Sequence, residues 1–177
     1  MTAGRKASRP PRGWEPETAL DPLTLRLTLW PEDAPADGYV IDATTWAGPT
    51  SLRLDMLKGI AVLGGAAGPW RRQATIYNGM VSTRRFIRWI DDWTDPNLPA
   101  GTARPDSLAD LSRGVWAAWV ATCNRGSATK RVAMTIAAIA VASPALPASG
   151  AHAPASGCRR RCARSPAWRS TMARWWT

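Results

Sequence analysis

A chain of 177 residues with a net charge of +10 is long enough for one ordinary domain with tails, and its apolar content of 45% permits a buried core. The charge is segregated: residues 1–14 hold four cations and no acid, residues 15–110 hold nine cations against thirteen acids, and residues 111–177 hold ten cations and no acid. Such an excess suits phosphate or an anionic surface, although basic solvated tails account for the two ends; the basic start followed by Pro and Gly excludes a secretory signal, and Val132–Ala142 is too short an apolar run to cross a bilayer, so a cytoplasmic location without membrane contact is expected.

In chain order, residues 1–22 read as a flexible basic arm, with four prolines among charges and small residues. From Leu23 to Leu29 every odd position is Leu and every even position polar, the two-residue period of a half-buried strand. A second short strand, Tyr39–Ile41, follows Asp37-Gly38, so that 23–49 is expected to form a small hairpin or an irregular lead-in. Leu52, Met56, Ile60 and Leu63 then stand at helical spacing, and the glycines at 64, 65 and 68 end that helix. Gly64 is followed by Gly65 and Ala66 and lacks the Gly-Lys-Ser/Thr of a phosphate-binding loop, so a linker is expected there.

Thr75–Trp93 predicts the strongest amphipathic helix. At about 100° per residue, Ile76, Met80, Thr83, Phe86, Ile87, Ile90 and Trp93 share one side, with Arg84, Arg85 and Arg88 on the other. The turn-rich stretch Asp95–Pro105 ends it. Asp106 or Ser107 is expected to cap a further helix carrying Leu108, Leu111, Val115, Ala118 and Trp119, stopped at Asn124 and Gly126. Ser127 opens a last helix with Val132, Ile136, Ile139 and Ala140 inward; Lys130 and Arg131 in its first turn oppose the helix dipole and point to an anionic neighbour. After Ser143 the sequence turns into an acid-free Ala/Pro/Ser/Arg/Trp tail. An Arg/Trp grip on nucleic acid is one reading of that tail; a GC-rich gene read out of frame, which yields the same alphabet, is the favoured one.

Catalytic chemistry is expected to be absent. Cys123, Cys158 and Cys162 are an odd number in a chain without a secretion signal, which argues against a disulfide framework, and His152 with Cys158 and Cys162 falls short of the four ligands of a structural zinc site. Asp91, Asp92 and Asp95 are explained by the acidic end of a helix before a proline turn, and serine nucleophiles lack a partnering His outside the tail. No metal and no cofactor is expected.

Gly68-Pro-Trp-Arg-Arg-Gln-Ala74 through Ser82-Thr-Arg-Arg-Phe-Ile-Arg-Trp-Ile-Asp91, with Ser127-Ala-Thr-Lys-Arg-Val132 and Ser143-Pro-Ala-Leu-Pro147, resembles the N-terminal core-binding region of tyrosine recombinases, the phage-type integrases. The resemblance covers roughly residues 50–147. It implies a mainly α-helical, SAM-like core-binding bundle over 50–147, with the short β lead-in before it and disordered ends at 1–22 and 148–177. In this family the bundle is half of a clamp around duplex DNA, and the resemblance assigns DNA contact to Arg71, Arg72, Arg84, Arg85, Arg88, Lys130 and Arg131, as phosphate contacts that position rather than specify. Duplex DNA is thus the expected partner, with homo-oligomerisation on DNA allowed for. The family's chemistry needs a tyrosine nucleophile, two arginines and His/Lys partners downstream of the Leu-Pro exit; this chain has His152 in His-Ala-Pro-Ala there, and its tyrosines, Tyr39 and Tyr77, lie upstream. Such a chain reads as a truncated integrase-like DNA binder in site-specific recombination, without strand cleavage of its own. The alternatives are a small helical regulatory or protein-interaction module unrelated to recombinases, and a degenerate reading frame without selected function.

Overall fold

Apolar residues at period two before residue 45 and at helical spacing after it produce a short sheet followed by helices. The computed structural model describes residues 19–35, 37–123 and 127–144, with the side chains of 127–129 outside that description. The residues assigned above to the arm as far as 18, the stop at Asn124 and Gly126, the Leu-Pro exit and the tail with His152, Cys158 and Cys162 lie outside the described residues. The protein is mainly α, with a small three-stranded antiparallel sheet ahead of its helices.

β1 (Ala19–Asp21), β2 (Arg26–Leu29) and β3 (Tyr39–Asp42) lie side by side in that order, with Leu20 opposite Leu27, and Leu27 opposite Ile41. Leu25, Leu27, Leu29 and Ile41 are buried, each burial contributing about 1.5–3 kcal/mol. Two features differ from the sequence expectation. β1 falls inside the stretch read as arm, and the strand begins at Arg26, with Leu23 94% exposed. The cause is local. Asp21 Oδ1 accepts the Leu23 N–H at 2.9 Å and Oδ2 accepts the Thr24 hydroxyl at 2.6 Å, folding 21–24 into a turn that pairs β1 with β2.

α1 (Thr50–Gly64) turns Leu52, Met56, Leu57 and Ile60 inward against the sheet and the other helices. Its entry is fixed by Arg53, whose Nη1 donates to the carbonyls of Ala43 (3.0 Å) and Thr44 (2.9 Å), so that the end of β3 and the first turn of α1 are tied together. α2 (Gln73–Asp92) runs back along α1: Gly64 faces Ile76, and Gly48, just ahead of α1, faces Ile87. Its core side is Ile76, Thr83, Phe86, Ile87 and Ile90, as the period requires, with Met80 and Trp93 half-buried.

The following segment departs from the expected single helix. Ser107 and Asp110 form a reciprocal capping box, the Asp110 carboxylate accepting both the Ser107 N–H (3.0 Å) and its hydroxyl (2.7 Å), but the box closes only one 3-10 turn, Leu108–Asp110. Leu111 is extended, and α3 (Arg113–Cys123) starts afresh with the Ser112 hydroxyl accepting the Val115 N–H at 3.3 Å. The break has a tertiary reason: the Leu108 N–H, which a continuing helix would leave at its terminus, donates to the buried carboxylate of Asp55 on α1 at 3.3 Å, anchoring the turn there.

α4 (Ser127–Ala142) packs on α1, α2 and α3. A Cβ added to Gly59 of α1 would stand 2.1 Å from the Ile139 carbonyl oxygen, so glycine is what allows these two backbones to approach. One turn away Ser143 Oγ donates to the Asp55 carbonyl at 2.8 Å. Between α2 and α3 the rings of Phe86, Trp89 and Trp119 meet at 5.2–6.1 Å, with Trp119 edge-on to Phe86. Sheet and helices belong to one compact unit.

Candidate nucleic-acid interface

The site is built on α2, because its inner side is fully used by the core and its outer side is free. Tyr77, Val81, Arg84, Arg85, Arg88, Asp91 and Asp92 are exposed along it. Arg84, Arg85 and Arg88 lie within two turns, and no carboxylate among the described residues stands within ion-pair distance of any of the three. Three guanidinium groups within two turns of a helix, without a carboxylate partner among the described residues, concentrate positive charge on its outer side.

The acids nearby have other partners. Asp91 pairs with Arg104 at 3.5 Å. Asp95 accepts from the Trp89 indole N–H at 2.8 Å, from the Thr122 hydroxyl, and from the Asn97 backbone and side-chain N–H groups at 2.8 and 2.7 Å. Burial pushes the Asp95 carboxyl up, but the donors of Thr122, Trp89 and Asn97 outweigh it and hold it down at about 2. Asp91 and Asp95 are therefore engaged in separate contacts, and among the described residues no group of three metal-ligating side chains converges.

The seven basic residues expected at the DNA surface do not form one patch. Arg84, Arg85 and Arg88 share the exposed side of α2. Arg71 and Arg72 are exposed at its other end, about 18 Å from Arg84 by helix rise. There Arg71 Nη1 donates to the Ala66 carbonyl at 2.5 Å, the Arg71 carbonyl accepts the Glu32 N–H at 2.9 Å, and the Asp33 carboxylate accepts the Gln73 N–H at 2.7 Å. The loop between β2 and β3 thus brings two acids to the α2 entry, which tempers the field of Arg71 and Arg72. Lys130 and Arg131 are exposed in the first turns of α4. They are tied to the α2 stripe through α3: Arg85 is near enough to Cys123, the last residue of α3, that its charge lowers a thiol pKa which burial raises. Three residues lie between Cys123 and Ser127, so the chain reach across them is at most about 14 Å.

No family model, curated protein or solved structure matches this chain.

Two residues that charge alone does not single out complete the stripe. Tyr77 and Val81 precede Arg84 and Arg88 at spacings of four, three and four, which is the signal that finds them: the helical period applied to the outer side of α2 as well as to its core side. The Tyr77 ring also neighbours Tyr39, whose hydroxyl meets Met80 Sδ at 4.0 Å and whose pKa is raised by burial and then by Tyr77.

Among the described residues no helix is long and apolar enough to cross a membrane.

Proposed function

We propose that this chain binds duplex DNA through the outer side of α2, with Lys130 and Arg131 of α4 as accessory contacts, and that it serves as the DNA-gripping helical part of a site-specific recombination system. The observation that carries the reading is the stripe of Arg84, Arg85 and Arg88, exposed on one rigid helix without a carboxylate partner among the described residues. Phosphates supply the missing counter-charge at the spacing a helix offers, and releasing their condensed cations drives association. The recombination context is supported by the Ser82–Asp91 segment, which resembles a tyrosine-recombinase core-binding helix and is the segment that builds this stripe.

In this reading the chain grips DNA without cutting it. The Tyr39 hydroxyl is turned to the thioether of Met80, and both tyrosines lie upstream of the Leu-Pro exit beyond which the resembled family carries its nucleophile. A covalent protein–DNA adduct formed by the purified chain would overturn this part of the proposal.

The decisive measurement is duplex affinity against salt concentration. Each neutralised phosphate adds about 0.9 to the slope of log K on log salt. Replacing Arg84, Arg85 and Arg88 together by Ala is expected to flatten that slope by between about 2 and 3. An unchanged slope in the triple variant, or no duplex binding at low salt, refutes the assignment.

A further inference from the structure

α4 has an outer side of its own, opposite the residues it gives to the core. At about 100° per residue, Lys130, Arg131, Met134, Ala138 and Val141 fall within about 100° of one another over about 16 Å of helix, while the buried Ile136 and Ile139 lie on the far side. Met134 and Val141 are 49% and 37% exposed, and Ala138 between them is half-buried. Val62 of α1 widens this strip. α1 and α4 run antiparallel, since Gly59 meets Ile139 while Asp55 meets Ser143. Val62 stands one turn beyond Gly59, on the flank turned away from Leu52 and Ile60, and it is 53% exposed beside the N-terminal half of α4. Single exposed apolar residues need no partner, whereas a line of them along two adjoining helices is a surface that another helix can cover.

The charge around the strip is uneven. α3 and α4 contain no Asp or Glu, and neither Lys130 nor Arg131 has a carboxylate within ion-pair distance among the described residues. Asp106 and Asp110 lie toward the other end, where Leu108 docks on Asp55 beside Ser143. An apolar strip with cations at its head matches a helix that has one apolar side and acids at the corresponding end. Phosphate oxygens offer Met134 and Val141 nothing, and the acid-free α3 and α4 of a second copy offer Lys130 and Arg131 no counter-charge.

We propose that the outer side of α4, bordered by Val62 of α1, docks an acidic amphipathic helix of a partner protein. The partner's apolar side covers Met134, Ala138, Val141 and Val62, and its carboxylates pair with Lys130 and Arg131. The surface shares those two cations with the duplex reading above, and the apolar strip is its own.

The test titrates the full-length chain with a helical peptide of about 18 residues, carrying Leu at helical spacing on one side and Glu at one end, and with a scrambled peptide of the same composition. The designed peptide is expected to bind about tenfold tighter than the scrambled one and to weaken as salt rises. Met134→Ser/Val141→Ser is expected to lose about tenfold for the designed peptide and little for the scrambled one, with duplex affinity and its salt slope unchanged. Lys130→Ala/Arg131→Ala is expected to weaken the designed peptide and remove most of its salt dependence. All four side chains are exposed, so an unchanged far-UV spectrum and melting temperature will show that each variant is folded. If neither peptide binds, if both bind alike, or if the Met134/Val141 variant leaves the designed peptide unaffected, the docking surface is overturned while duplex binding stands. Vesicles with about a third anionic lipid, and sedimentation of the chain alone, test the other occupants. Vesicle binding or a dimer that Met134→Ser/Val141→Ser abolishes assigns the strip to a lipid surface or to a second copy, and overturns the proposal.

Discussion

Gly59 shows how one residue can be governed by a contact far away in sequence. In the middle of α1 a glycine costs about 0.5–1 kcal/mol relative to alanine, so sequence alone marks it as a weakness. The Ile139 carbonyl 2.1 Å from where its Cβ would stand reverses that judgement, because the obstruction is backbone and has no rotamer to escape into. Gly59→Ala is accordingly expected to destabilise by about 1–3 kcal/mol, read as a lowered urea midpoint, despite the gain in helix propensity. Asp95 is a second such residue. Its acid neighbours in sequence invite a metal reading, but its donors come from Trp89 on α2, Thr122 on α3 and its own turn. With a folded pKa of about 2 against an ordinary 3.8, the ionised carboxylate stabilises the fold fully above pH 3.8, and the contribution is lost as pH falls through about 2. Urea midpoints of the native chain and Asp95→Asn should differ most near neutral pH and converge as pH approaches 2; a constant difference would show that the carboxylate's charge is not what Trp89 and Thr122 hold.

At the scale of elements, legibility followed the length of the periodic pattern. α1, α2 and α4 were readable because four or more turns of apolar spacing leave little ambiguity of period. The segment 106–123 was not. Leu108, Leu111 and Val115 keep helical spacing across a real break, because Leu108 and Val115 are drawn to a core around α1 and the aromatic cluster from two separate short elements. Of the two caps the sequence offers, Asp106 or Ser107, the structure uses Ser107, with Asp110 closing a box, yet what it caps is decided by Asp55. Replacing Ser107 with Ala should cost about 1 kcal/mol, and Phe86→Ala, which empties the ring cluster between α2 and α3, about 3–5 kcal/mol in chemical denaturation. The strand β1 escaped notice for the opposite reason: three residues are too few to show a period, and it exists only because the Asp21 turn lays it against β2.

At the scale of the whole molecule, the β lead-in is part of the same core as the helices, since Leu27, Leu29 and Ile41 are buried and β2 packs on α1. Ile41→Ala is therefore expected to lower the stability of the helices too, by about 2–5 kcal/mol, with far-UV circular dichroism and tryptophan fluorescence reporting one coincident transition. Two separated transitions would mean that sheet and bundle fold independently. The basic residues behave in the opposite way, since what the sequence groups by charge the fold pulls apart. Arg71 and Arg72 go to one end of α2 beside Glu32 and Asp33, while Arg84, Arg85 and Arg88 stand together as a stripe without a carboxylate partner among the described residues.

The sequence by itself determined the mainly helical class, the position of the three longer helices and the inward side of each, because side-chain period and proline or glycine punctuation act locally. Tertiary structure alone decided the break before α3, the need for glycine at 59 and which of the basic residues share a surface. Each of those depends on a carbonyl, carboxylate or ring brought from elsewhere in the chain, and no local pattern encodes a partner that folding has yet to deliver.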